Sequence, residues 1–219
     1  MLEKLPDSVG HLLEDARAGL EKILFNRVDL RAGTGRIEVS SLAFADHAPI
    51  PARFTADEEE PSSPSLQWKG IPQGTATLVL IVEDADSPTP APLVHAIAVD
   101  IDPARNGLSE GDLLNSDTAE ESDVTLGRNS YLRQAWLPPD PPPGHGPHRY
   151  AFQVFALARG KAFSNAPGRD EIAKAIGERA LASGCLIGTY ARDNTVKTDA
   201  DALARAEEFP TAVEVAVPA

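Results

Sequence analysis

Apolar residues run without a break from Leu78 to Val82, L-V-L-I-V. A run of β-branched residues and leucine with no polar face predicts a strand buried on both sides. A second apolar run follows His95, A-I-A-V-D-I from Ala96 to Ile101, and predicts a neighbouring strand. Tyr150 to Leu157, Y-A-F-Q-V-F-A-L, alternates aromatic and apolar residues and reads as a further central strand. Ile37, Val39 and Leu42 fall at strand spacing, and Leu186 to Tyr190 reads as the last strand. Helical period is confined to three places. Val9, Leu12, Leu13, Ala16, Leu20, Ile23 and Leu24 form a stripe at spacings of three and four, with Asp7 or Ser8 as cap. Arg169–Ala182 turns Ile172, Ala175, Ile176 and Leu181 inward, and Asp199–Glu208 forms a C-terminal helix. The pattern predicts a mainly β fold, a sandwich of two mostly antiparallel sheets with peripheral N- and C-terminal helices. Residues 1–30 read as a helical extension, 31–195 as the domain, and 196–219 as a helix and tail. The N-terminal stripe has to be covered, either by the chain's own sandwich or, in a homodimer, by a second copy.

The segments between these elements are loops. Residues 49–64 contain the acidic tip Asp57–Glu60, and residues 102–126 are polar and acidic, an excursion over the surface. Six prolines between Pro138 and Pro147 forbid a helix and stiffen that loop.

Composition narrows the function. With 219 residues and 42% hydrophobic content, the chain can bury one ample core. A net charge of −13 disfavours phosphate backbones and anionic membrane surfaces, which argues against nucleic-acid binding. A single cysteine, Cys185, precludes an internal disulfide and a cysteine zinc site. It lies in an apolar stretch and reads as a buried small hydrophobe. No signal peptide and no apolar span of about 18 residues is visible, so the expected location is the cytoplasm.

The candidate chemistry gathers where the first buried strand ends. Glu83, Asp84 and Asp86 enter a turn braced by Pro88, Pro90 and Pro92. Carboxylates at the end of a buried strand need partners. His95 and the G-P-H-R-Y segment, Gly146–Tyr150, are candidates. The two alternatives at this stage are a small polar pocket and an ordinary acidic turn with satisfied histidines.

Five motifs stand in order along the chain: S-P-S-L-Q-W (Ser63–Trp68), D-A-D-S-P (Asp84–Pro88), V-H-A (Val94–Ala96), P-P-P-G-H-G-P-H-R-Y (Pro141–Tyr150) and G-T-Y-A-R (Gly188–Arg192). In order and spacing they resemble the phosphatidylethanolamine-binding protein family, which includes the Raf kinase inhibitor proteins, and most of all its bacterial YbhB/YbcL-like branch. The resemblance covers roughly residues 36–192. It implies a non-catalytic binding protein with a small anion pocket lined by Asp84, Ser87, Pro88, His95, Pro142, His148 and Tyr150. The implied ligand is a phosphate-bearing small molecule or phospholipid head group. The implied role is that of a kinase- or protease-inhibitor-like regulator without cofactor or metal. Asp86 is expected to hold its loop, Arg149 to pair with an acid behind the pocket, and Tyr190 and Arg192 to close the domain. The bond before Pro88 is expected to be compatible with a cis peptide. A carboxylate beside an imidazole favours the protonated ring. The chain departs from the family pattern at Ala85, Ala96, Pro138 and Asp140, which bears on affinity rather than on fold. His145 is expected at the rim, and His11 and His47 on the surface. The competing readings are a hydrolase built on the Asp/His/His/Tyr cluster and a metal site of Asp84, His95 and His148. Ser87 lies in no nucleophile-elbow pattern.

Overall fold

The structure, a computed structural model, describes residues 15–27, 34–114 and 124–192. Ten strands are found among them. They are β1 (Gly35–Arg36), β2 (Glu38–Ser40), β3 (Ala48–Pro49), β4 (Leu66–Lys69), β5 (Thr77–Asp84), β6 (Leu93–Ile101), β7 (Gly107–Leu108), β8 (Thr125–Leu126), β9 (His148–Leu157) and β10 (Ala180–Tyr190). One sheet has the order β1-β10-β9-β5-β6-β8, with β3 also pairing with β10. A smaller antiparallel sheet has the order β2-β4-β7. In the larger sheet β1 and β3 run parallel to β10, and every other pair is antiparallel. The fold class expected from the pattern is the one observed.

The central position of β5 accounts for its unbroken apolar run. Leu78, Leu80 and Val82 face the small sheet and pack with Phe54, Leu66 and Trp68. Val79 and Ile81 face the other way, onto Leu24, Phe155, Ile172 and Ile176. The last two belong to the single described α-helix, α1 (Arg169–Arg179). Both faces of the strand are therefore covered, and no position is left for a polar stripe.

Three expectations change. First, residues 15–27 are not a continuous helix. They form an extended stretch through Gly19 (φ 101°) and two 3₁₀ turns, Leu20–Lys22 and Leu24–Asn26. The sheet's own polar side chains take the backbone donors a helix would use: Leu24 N–H donates to Glu83 (2.8 Å) and Phe25 N–H to Gln153 (2.6 Å). Ala18, Ile23 and Leu24 are buried on the chain's own sheet, the first of the two alternatives for the stripe. Residues 1–14 of the stripe, and the helix expected over 199–208, lie outside the described residues. Second, the last strand starts at Ala180 rather than near Leu186, immediately after α1. Its early residues are small because another chain segment crosses close by: a Cβ on Gly184 would sit 2.2 Å from the Ile37 carbonyl oxygen. Third, no described peptide bond is cis, so the bond before Pro88 is trans.

Candidate functional site

The site assembles where β5, β6 and β9 end together. Register places Asp84 opposite Leu93 of β6 and opposite Tyr150 of β9. His148 opens β9 and turns its imidazole to Asp84, with Nδ1 2.7 Å from Oδ2. The other carboxylate oxygen of Asp84 accepts the Asp86 N–H (2.8 Å), which closes the turn after β5. His95 stands on β6 with its ring edge-on to Tyr150, centroids 5.1 Å apart. The His148 and Tyr150 rings stack at 6.4 Å. Asp84, His95, His148 and Tyr150, drawn from positions more than sixty residues apart, thus meet in one place, each no more than 4% exposed.

Ser87 and Pro88 lie in the turn itself. The Ser87 hydroxyl donates to the Asp84 carbonyl (3.2 Å), accepts the Leu93 N–H (3.2 Å) and shares a bond with Thr89 (2.8 Å). It is a turn-builder with no imidazole within reach among these bonds. Pro142 is buried in the proline-rich loop, and its carbonyl accepts the His145 N–H.

Two polar atoms in this cluster are buried and have no hydrogen-bond partner: Nε2 of His95 and the hydroxyl of Tyr150. The other ring nitrogen of His95, Nδ1, lies 2.6 Å from the Leu137 carbonyl oxygen, which fixes the proton there. Neutral His95 therefore presents a bare lone pair at Nε2. Burial lowers its pKa below the ordinary imidazole range, and the opposing pull of the Asp84 carboxylate does not make up the difference. The expectation of a protonated, anion-attracting ring at this position is corrected by that desolvation. Burial, reinforced by Asp84, raises the Tyr150 phenol well above its usual value, so it is a permanent donor.

Behind this cluster the charges are paired. Asp86, expected to hold the loop, accepts the Arg149 backbone N–H (2.8 Å) and both arms of its guanidinium (2.7 and 2.6 Å). Burial alone would raise the Asp86 carboxyl, but Arg149, helped by Arg17 at 3.2 Å, outweighs it and holds the carboxyl below its usual value. Asp140, one of the departures from the family pattern, faces Arg192 at 2.6 Å, which offsets part of its charge. Tyr190 and Arg192 also reach Asp57, so the acidic tip is tied to the end of β10 at its first residue. Among the described residues no group of three His, Cys, Asp or Glu side chains is arranged to hold a metal ion. The set of Asp84, His95 and His148 weighed from the sequence is not such a group.

Other placements differ from expectation. His145 is fully buried rather than at the rim, with Nδ1 2.6 Å from Nε2 of His148. Its spacing of three from His148 within a Pro/Gly turn was the available signal. His47 is exposed as expected, His11 lies outside the described residues, and Cys185 is half-buried in β10. Sequence reasoning also missed Arg17, whose guanidinium donates to the carbonyls of His145 (2.7 Å) and Pro147 (3.0 Å). It likewise missed the buried network in which Glu83 accepts from Arg169 (2.6 Å) and Gln153 (2.8 Å).

A sandwich with acid, imidazoles and phenol closing over two unpartnered polar atoms defines a binding protein with a small polar site at its strand ends. The family model for phosphatidylethanolamine-binding proteins matches residues 40–191. The chain belongs to the phosphatidylethanolamine-binding protein family. A UPF0098 protein of Aquifex aeolicus is 33% identical over 80% of this chain and 99% of its own length. A UPF0098 protein of Pyrococcus horikoshii is 32% identical over 71% of this chain and 77% of its own. Among solved structures, a phosphatidylethanolamine-binding protein homologue of Chlamydia trachomatis superposes with a TM-score of 0.63 at 27% identity, covering 73% of this chain and 100% of that one. YbcL of Escherichia coli superposes with a TM-score of 0.65 at 23% identity over 72% and 99% of the two chains, a likeness of fold.

Proposed function

We propose that the chain is a non-catalytic binding protein whose pocket receives one phosphate-type group, borne by a small molecule or a phospholipid head group. The observation that carries this reading is the pair of buried, unpartnered atoms, Nε2 of His95 and the hydroxyl of Tyr150, beside the Asp84–His148 pair. Buried polar groups are normally satisfied, so such a pair marks a place for a ligand. Their chemistry is complementary: Tyr150 donates and neutral His95 accepts. A phosphate monoanion matches both, since one oxygen accepts from the phenol and its P–OH donates to the ring. A carboxylate next door disfavours a fully deprotonated dianion. The residues of the pocket are Asp84, Ser87, Pro88, His95, Pro142, His148 and Tyr150. Ser87 supports a binding rather than a hydrolytic role, because its hydroxyl is spent on the turn.

In this reading residues 31–195 form the binding domain, with residues 1–30 and 196–219 as extensions. Regulation of a kinase or protease would follow from ligand-dependent display of the surface around the pocket. Among the described residues no helix is long and apolar enough to cross a membrane, and with a single cysteine we place the protein in the cytoplasm.

Calorimetric titration of inorganic phosphate, phosphorylethanolamine and sulfate at pH 5.5 and pH 8 tests this. Vesicles containing phosphatidylethanolamine separate a lipid source from a free one. Affinity for the phosphates should fall as pH rises past the second phosphate pKa, about 6 for a monoester. Sulfate has no proton to give His95 at these pH values and should bind more weakly than phosphate. Binding of phosphate that ignores pH and is matched by sulfate would overturn the reading.

A further inference from the structure

His148 has no nitrogen left for a ligand as it stands. Nδ1 faces Asp84, and Nε2 faces Nδ1 of His145 at 2.6 Å. Both imidazoles are at most 1% exposed. With the Nδ1 proton of His148 directed at the carboxylate, the bond between the rings needs one proton, which His145 Nδ1–H donates. The turn that delivers His145 is held in an unusual shape. Gly144 and Gly146 on either side of it are both left-handed, with φ of 77° and 80°. Its backbone bond, His145 N–H to the Pro142 carbonyl, is long at 3.2 Å. The firmer hold comes from outside the turn. Arg17 donates to the carbonyls of His145 and Pro147 and reaches Asp86, with 2.7, 3.0 and 3.2 Å separations. Arg17 is itself fixed by the next two residues, since Ala18 N–H donates to the Ser87 carbonyl (3.0 Å) and Gly19 N–H to that of Ala85 (2.7 Å). It precedes the matched family region, residues 40–191.

We infer that His145 is an internal occupant of the binding site, seated on the nitrogen of His148 that a phosphate would use, and that Arg17 is the positioning residue that keeps it there. This rests on the phosphate-pocket reading above. A bound phosphate displaces His145 and donates a P–OH hydrogen bond to Nε2 of His148, the lone pair that His145 Nδ1–H satisfies in its absence. The inorganic phosphate monoanion carries two P–OH groups, one for His148 and one for His95, so no proton changes hands. Affinity is then set by competition between the ligand and the protein's own histidine. The N-terminal segment tunes it through Arg17, although that segment supplies no ligand-contacting group.

Titration of inorganic phosphate into wild type, His145→Ala, His145→Gln, Arg17→Ala, His148→Ala and the His145→Ala/His148→Ala double variant tests this, at a single pH of 5.5. Each variant is first checked for native thermal unfolding. His145→Ala should bind about tenfold tighter than wild type, equivalent to ~1.4 kcal/mol, the net worth of one displaced hydrogen bond. His145→Gln, which keeps volume and a donor, should fall between and serves if the alanine variant unfolds. Arg17→Ala should show part of the gain, and the double variant should lose it. Histidine ¹⁵N spectra without ligand supply a readout that a merely structural Arg17 would not move: the His148 signals in Arg17→Ala should shift towards those of His145→Ala. Equal or weaker binding by His145→Ala, with His148→Ala weakened, would overturn the competition and leave the pocket standing. Phosphate affinity unchanged in His148→Ala as well would overturn both.

Discussion

Replacing Arg169 by methionine removes one side of a buried ion pair while keeping an apolar stem of similar reach. Glu83 is fully buried, and Arg169 Nε lies 2.6 Å from one of its oxygens. Its other oxygen accepts from Leu24 N–H and from Gln153, each at 2.8 Å. The variant leaves a carboxylate in the interior with two neutral donors and no cation. Breaking a buried pair by removing one partner costs about 3–5 kcal/mol. The Arg169 side chain is 21% exposed, so water can enter part of the vacated space, and we expect a cost shifted down from that range, about 2–4 kcal/mol. For a chain of this size that corresponds to a fall in Tm on the order of 10 °C. Arg169 also donates to the Lys22 carbonyl (2.7 Å), so the N-terminal segment should loosen, seen as faster hydrogen exchange at Leu24 and Phe25. Urea denaturation followed by circular dichroism gives the stability. The Glu83→Gln/Arg169→Met double variant, neutral on both sides, should recover at least half of the loss. A single variant that costs under about 1 kcal/mol, or a double variant no better than the single, would refute the reasoning.

Asp86→Asn removes the charge facing Arg149 and turns one of the two oxygens that accept from its guanidinium into a donor, and should cost at least about 1.5 kcal/mol in urea denaturation. The folded carboxyl of Asp86 lies below its unfolded value, so its contribution is complete above about pH 4 and is lost as pH falls through the folded pKa. Acid unfolding of Asp86→Asn should lack that part of the acid limb. His95 acts in the same direction at a higher pH: its folded pKa is depressed as well, so only the unfolded chain takes up its proton below about 6.5. Stability should therefore decline as pH drops from 7 to 5 by up to about 1.4 kcal/mol per unit from this group, and His95→Gln should flatten the decline in thermal unfolding. Gly184→Ala, whose new Cβ would lie 2.2 Å from the Ile37 carbonyl oxygen, should destabilise by about 1–3 kcal/mol in the same assay.

The strands around the site were legible because two-sided burial demands an apolar run, unbroken in β5 and interrupted only by Gln153 between Tyr150 and Leu157 of β9. Asp84, His148 and Tyr150 were legible because a carboxylate at a buried strand end needs a partner; register sets Tyr150 across from Asp84, and His148, two residues earlier, supplies the bond. What stayed hidden has physical reasons. Ala180–Cys185 lacks β-branched residues, and it is a strand because β9 offers a matching edge and the crossing segment near Ile37 tolerates only small side chains. The N-terminal stripe has helical period, yet Glu83 and Gln153, far along the chain, win its backbone donors. Pairings such as Arg169 with Glu83 or Arg17 with Asp86 leave no local pattern. The inward turn of His145 depends on two left-handed glycines, whose φ a sequence permits but does not dictate. The protonation of His95 was misjudged because its burial, which outweighs Asp84, is a property of the assembled fold.

Tyr150→Phe tests the central claim most directly, because it deletes one oxygen and changes almost nothing else. That hydroxyl is buried without a partner, so its loss should leave the protein as stable as wild type or more so, by up to about 1 kcal/mol in urea denaturation. If the oxygen waits for a phosphate, calorimetry at pH 5.5 should show the affinity for phosphorylethanolamine falling by roughly tenfold or more in the same variant. Stability held or raised together with weakened binding is the predicted result. Unchanged affinity for phosphorylethanolamine in Tyr150→Phe would contradict the account.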